Sequence, residues 1–205
     1  MHFDMANLDL KGAHDILAGA VLPRPIAWVS TIGPDGIYNL APFSFFAVVS
    51  TRPAMVGFSI GSRRDGVPKD TLLNIRSAKD FVVNVVTEEL AAAMNQSCAD
   101  YPRNVDEFKE TGLTAARSDL VQSPRLAESP VNLECRLDRI LEFGEGPHSS
   151  CFVIGEVLRV HVRDEVRVQN VIKADKLKPL GRLGEEAYCR TGDIFEMKRP
   201  KLTTT

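Results

Sequence analysis

Apolar residues in this chain gather in short runs rich in β-branched and aromatic types, divided by turn residues. Residues 26–32, IAWVSTI, mix β-branched and aromatic types, which suit a pleated, half-buried surface. GPDG at 33–36 places Pro and Gly where a tight turn needs them, and IYNL at 37–40 resumes the strand, a hairpin signature. FSFFAVVS at 43–50 and AMVGFSI at 54–60 read as two more strands, divided by Thr51-Arg52-Pro53, and DFVVNVV at 80–86 as another. In the run 131–144, Val131, Leu133, Cys135 and Leu137 fall on one face. The β-branched run 150–162 is predicted to pair with it across the loop EGPHS.

Helical spacing is rarer. DTLLNIRSA at 70–78 places Leu72, Ile75 and Ala78 on one face, with Asp70 or Thr71 as the cap. Residues 88–99 begin with acids and keep high helix propensity. Short helices are expected near 8–19 and 168–176, and one helical turn near Val105–Thr111 inside a Pro-containing excursion, 100–130. The tail KLTTT is expected to fray. Hairpin-linked strands with helices between some of them predict a mainly β fold with peripheral helices, a closed or partly closed barrel. A Rossmann fold would alternate strand and helix around GxGxxG. The only near match, GEGPHS at 144–149, lies between strands and lacks the third glycine.

Composition narrows the function. A chain of 205 residues, 44% hydrophobic, fills one domain. The net charge of −2 gives no basic field, so a nucleic-acid partner is not expected. Apolar runs such as 45–49 are far too short for a membrane span, and the acidic N-terminus is unlike a secretory signal. Cys98, Cys135, Cys151 and Cys189 form no CxxC pair, so no metal site is expected, and a reduced, cytoplasmic protein fits. The adjacent acids Glu88-Glu89 and Glu185-Glu186 read as surface charge.

The candidate chemistry lies where strands end. Ser62, Arg63, Arg64, Lys69, Asp70 and Thr71 enter a helix together. Charge-assisted hydrogen bonds and free N–H groups at a helix start are what a phosphate needs. Asp70 does not belong against a phosphate, and would cap the helix or accept from a sugar hydroxyl. A solvated loop of mixed charge accounts for the same composition. Asn39 and Ser44 bracket Ala41 and Pro42, whose small or rigid backbone could lie close to a planar ligand. An ordinary strand connection is the other reading. His148 sits in a Gly/Pro loop, in reach of a substrate or simply at the surface.

Taken in order, RPIAWVST, NLAPFS, KDTLLNI, FVVNVV, VDEF, GLT, SPVNLEC and IGEVLRVHV resemble the flavin reductase-like, FMN-binding split-barrel proteins, especially the flavoredoxin-type branch. The resemblance covers about Ala20 to Val166, leaving 167–205 as a C-terminal extension of one domain. It implies a homodimer of split barrels with FMN near the interface. By position, Ser30 and Thr31 would lie beside the flavin. Asn39, Ala41, Pro42, Phe43 and Ser44 would line the ring and ribityl chain, and Ser62, Arg63, Lys69 and Thr71 would hold the phosphate, with Asp70 nearby. Arg63 is favoured over Arg64. The implied activity is NAD(P)H-dependent reduction of FMN and transfer to a second acceptor. A family His five residues before the Gly of the GEV strand is Ser150 here, and His148 stands two residues earlier. An FMN-binding electron carrier or store without a nicotinamide site is therefore the alternative.

Overall fold

The computed structural model describes residues 1–63, 66–145 and 149–201. Helix α1 (Leu10–Ala20) opens the fold, its start capped by the Asp9 carboxylate, which accepts from the Gly12 N–H. Strands β1 (Arg24–Pro25), β2 (Ala27–Ile32), β3 (Tyr38–Phe43), β4 (Phe46–Thr51) and β5 (Ala54–Gly61) follow. Helix α2 (Asp70–Ala78) leads into β6 (Asp80–Val85), α3 (Ala91–Gln96) and α4 (Glu107–Glu110). A short pair, β7 (Ala115–Ala116) and β8 (Arg125–Leu126), precedes the long β9 (Val131–Phe143) and β10 (Ser150–Val162). The C-terminal part holds the hairpin β11 (Arg167–Val168) and β12 (Val171–Ile172), α5 (Ala174–Leu177), β13 (Leu180–Arg182) and β14 (Tyr188–Arg190).

The main sheet has seven strands in the order β3-β2-β6-β9-β10-β5-β4, and every neighbouring pair is antiparallel. Its two edges, β3 and β4, are consecutive in the chain and joined only by Ser44 and Phe45. So short a link makes the twisted sheet curl until its edges approach. They share no ladder, so this is a mainly β, split barrel with helices around it.

Alternation along β2 explains why IAWV is apolar throughout. Ala27 and Val29 pack inside the barrel with Phe43, Phe58, Phe81, Val83, Cys135 and Val153. Ile26 and Trp28 face the other way, into Leu40, Met94, Phe108 and Leu126. The Trp28 indole N–H donates to Ser97 Oγ at 2.9 Å, which ties the segment after α3 to the sheet. Among the described residues no helix is long and apolar enough to cross a membrane.

Four expectations are corrected. β3 runs unbroken through Ala41 and Pro42 to Phe43; an edge strand tolerates a residue with no N–H. The helix expected near 168–176 is mostly the β11–β12 hairpin, with α5 only at Ala174–Leu177. Its β-branched Val168, Val171 and Ile172 favour strand over helix, and Gln169 turns the chain at φ 54°. Residues 88–99 divide into a 3-10 turn, Glu88–Leu90, and α3. Neither Asp70 nor Thr71 caps α2: Lys69 holds that position and makes no side-chain cap bond. Of the tail expected to fray, 202–205 lie outside the described residues.

Candidate functional site

The residues singled out at strand ends form two groups, joined through a buried polar network. Thr31 and Asn39 stand opposite each other across β2 and β3. Asn39 Oδ1 accepts from Thr71 Oγ1 at 2.6 Å and Thr31 Oγ1 at 3.3 Å. Asn74 Nδ2 donates to Thr31 Oγ1 at 3.1 Å. On its other side Asn39 donates to Glu107 Oε1 at 2.9 Å, while Glu107 Oε2 accepts from the Leu40 N–H at 3.1 Å. Burial raises the Glu107 carboxyl above its ordinary range, opposed by its own N–H, that of Leu40 and the Asn39 amide. α4 thus grips the start of the NLAPFS run through a buried carboxylate.

The Ser30, Thr31 and Thr71 hydroxyls are turned inward. Ser30 donates to the Pro124 carbonyl and accepts from Asn84 Nδ2 at 3.0 Å, so it anchors the 100–130 excursion. All three residues are buried, with Ser30 paired to strands on both sides. Ala41, Pro42 and Phe43 lie on β3, with Ser44 just beyond it.

The basic end is built around Asp70. Its carboxylate pairs with Arg63 and, at 3.0 Å, with Arg103, and Arg103 also reaches Asn74 Oδ1 at 3.5 Å. The Arg63 N–H donates to the Val67 carbonyl at 3.0 Å. Ser62 Oγ donates to the Ser149 carbonyl at 2.9 Å. Lys69 links the groups: its Nζ lies 5.7 Å from the Phe43 ring centroid. Lys69 makes no side-chain cap bond, so the α2 start has no side-chain cap, and the helix dipole there favours negative charge.

These residues do not converge on one cavity within the chain. Pro42 and Ser44 border a cleft of about 1330 Å³ between α1, α3 and the β13–β14 hairpin. Ser62 borders a separate space of about 400 Å³ with Gly66, Pro68 and Ser149. Asn39 and Asp70 meet only in a crevice of about 10 Å³, beside Arg103 and Glu107. Arg64 and His148 lie outside the described residues. Ser150 is half-buried and pairs with Gly61. Arg24, Arg103 and Glu107 escape sequence reading. Only charge inside otherwise apolar or Pro-containing runs hinted at them.

One further cluster is structural. The buried Glu134 accepts from the Asp119 and Leu120 N–H groups at 2.9 and 2.7 Å, and its Oε1 lies 2.6 Å from His161 Nε2. Burial would raise its pKa, but these partners hold it below the ordinary carboxylate value. With Arg125 and Arg159 also beside the Glu134 and Asp119 carboxylates, the group fastens the excursion to β9 and β10.

The sequence profile of the family described as Flavin reductase like domain matches residues 18–180. An uncharacterised protein from Halalkalibacterium halodurans is 37% identical over 205 residues, 99% of this chain and 98% of that one. The crystal structure of nitrilotriacetate monooxygenase component B from Bacillus cereus superposes with a TM-score of 0.91 at 31% identity, covering 96% of this chain and 98% of that one. The 2-nitrobenzoate 2-nitroreductase of Pseudomonas fluorescens superposes at 0.89 with 29% identity, covering 100% of this chain and 99% of that one.

Proposed function

The chain belongs to the flavin reductase-like domain family, and on that footing we propose that it is an FMN-dependent oxidoreductase, taking hydride from NADH or NADPH and passing it to a second acceptor. The observation that carries this reading is the Arg63–Asp70–Lys69 arrangement at the open start of α2, with Lys69 reaching the Phe43 ring. Its donors suit a phosphate: a guanidinium, an ammonium and a helix start without a side-chain cap lie close together in the chain. Asp70 holds Arg63 in place and limits the local positive charge. FMN, when bound, supplies the hydride-accepting ring chemistry. Backbone groups of Asn39, Ala41, Pro42, Phe43 and Ser44 orient the ring, with the backbone of Ser30 and Thr31 beside it. Ser62, Arg63, Lys69 and the backbone of Thr71 hold the phosphate. Glu107 keeps β3 in register beneath.

The similar structures, a monooxygenase component and a nitroreductase, support an oxidoreductase. The decisive experiment is anaerobic mixing of the FMN-loaded protein with NADH and NADPH. Bleaching of the flavin band with either is expected. No bleaching with both would leave the second reading, an electron carrier reduced by a partner protein, which Ser150 at the family's histidine position favours. The free thiols support a reducing, cytoplasmic location. A homodimer is part of the proposal, because the candidate residues border separate spaces in one chain.

A further inference from the structure

The large cleft beside Pro42 and Ser44 carries a cationic inner wall that the flavin reading does not use. Arg24 is only 6% exposed. Its guanidinium donates to the carbonyls of Ala18, Val21 and Leu183, the last two at 3.4 and 2.9 Å, and its Nε lies 3.4 Å from Ser44 Oγ. Arg182 lies 4.5 Å over the Tyr188 ring and donates to the Glu185 carbonyl. Among the described residues no carboxylate pairs with either guanidinium. Burial lowers the Arg24 pKa first, and repulsion from Arg182 lowers it further. The Arg24 guanidinium thus meets carbonyls, the Ser44 hydroxyl and, at 5.6 Å, the Phe45 ring, but no carboxylate among the described residues, and an anion beside the two cations offsets part of the cost of burying that charge.

The acids lining this cleft do not supply that anion. Asp15 pairs with Lys11, and Asp15, Glu185 and Glu186 are exposed at the rim. The cleft lining includes the flat or apolar Ile26, Pro42, Met94 and Tyr188, together with the polar Ser44 and Asn95. A planar guanidinium matches a carboxylate through paired hydrogen bonds. At about 1330 Å³ the cleft has room for a small ring above the β3 backbone.

We propose that this cleft binds a flat, ring-bearing carboxylate, its carboxylate between Arg24 and Arg182 and its ring toward Pro42 and Ser44. This rests on the proposed function and names the class of the second substrate: NAD(P)H is oxidised, and a reducible double bond conjugated with the ring, not the carboxylate, is broken as one hydride and one solvent proton add across it. Arg182 is the recognition residue to test, because it is half-buried, whereas Arg24 is built into the fold.

Benzoate and its neutral isostere benzamide are the probes, titrated calorimetrically into the protein with and without FMN. Benzoate is expected to bind about tenfold more tightly than benzamide, the worth of one charge-assisted contact. In Arg182→Gln the preference should shrink to about twofold or less, with benzamide and FMN binding unchanged. Equal binding of both probes by the wild type, or an undiminished preference in Arg182→Gln, overturns the proposal. So does displacement of benzoate by ADP-ribose with ADP-ribose affinity also lost in Arg182→Gln, since the wall would then hold dinucleotide phosphate. Arg182-dependent benzoate binding without any FMN binding sinks the flavin reading and leaves the cleft site standing. The converse pattern sinks only the cleft.

Discussion

Arg63 divides its charge between two uses. In the free chain it pairs with Asp70, which Arg103 also reaches from the excursion at 3.0 Å. A phosphate at the α2 start would draw on the same guanidinium, while Asp70 stays neutralised by Arg103. Arg63→Ala and Lys69→Ala should each weaken FMN about tenfold or more, the worth of one charge-assisted hydrogen bond. Riboflavin, lacking the phosphate, should lose at most about twofold; calorimetric titration of both ligands measures this, and equal losses would put the phosphate elsewhere. The residue types at this end were legible in sequence, but not the use of their side chains: Thr31, Asn39 and Thr71 close on one another through contacts spanning β2, β3 and α2. Glu107 was not legible as a site support at all, yet it gives a pH test. Its carboxyl is raised above 4.5, chiefly by burial. A raised carboxyl stabilises the fold fully below its unfolded pKa, and that contribution is lost as pH rises through the folded value. Glu107→Gln removes this titration and, unable to accept from both the Asn39 amide and the Leu40 N–H, should cost about 1–3 kcal/mol. The gap between wild type and variant should therefore be widest near pH 4 and narrow as pH rises, read from denaturation midpoints across a pH series. A gap that widens instead would show that the carboxylate is the favoured form.

At the scale of elements, strands were easier to read than anything between them. The β-branched and aromatic runs of β2, β5, β6, β9 and β10 mark strands locally, and β2, β5 and β6 are largely apolar because both their faces are buried. The excursion between α3 and β9 was not legible in the same way. Its order comes from long-range bonds: Glu134 to the Asp119 and Leu120 N–H groups, and Asp80 to the Ser123 hydroxyl at 2.6 Å. The barrel wall sets its own limit at Gly155 on β10. A Cβ there would lie 2.4 Å from Phe81 Cζ and 3.2 Å from the Arg136 carbonyl. Phe81 is fully buried and packs edge-on against Phe58, with centroids 5.3 Å apart, so it has little room to yield. Gly155→Ala should destabilise the protein by about 1–3 kcal/mol, the usual cost of overpacking, seen as a lower denaturant midpoint at unchanged slope. An unchanged midpoint would mean that the ring relaxes freely and the wall is softer than its packing indicates.

The whole molecule leaves much apolar surface near the β3–β4 corner. Only Ala18 of α1 is buried, while Leu10, Leu17, Val21 and Leu22 are exposed. His14 stacks on Phe45 with centroids 6.0 Å apart, which brings α1 beside the β4 edge, where Val48 is 70% exposed and Val49 49%. An exposed, apolar edge strand invites pairing with another chain, and a neighbouring apolar helix face enlarges the patch. A second copy would cover this patch, and in doing so could bring together candidate residues that border separate spaces in one chain. Under two-fold symmetry a single substitution enters such an interface twice. Val48→Lys replaces apolar burial worth about 1.5–3 kcal/mol per side chain with a charge that must be desolvated. The wild type should run by light scattering at about twice the chain mass of 22.6 kDa, and Val48→Lys as a monomer at the same concentration. If FMN contacts come from both copies, the monomeric variant should also lose about tenfold or more in FMN affinity although Arg63 and Lys69 are untouched. A monomeric wild type would remove the dimer from the proposal. A monomeric variant with full FMN affinity would show that one chain holds the flavin unaided, with Lys69 and Phe43 already in working register.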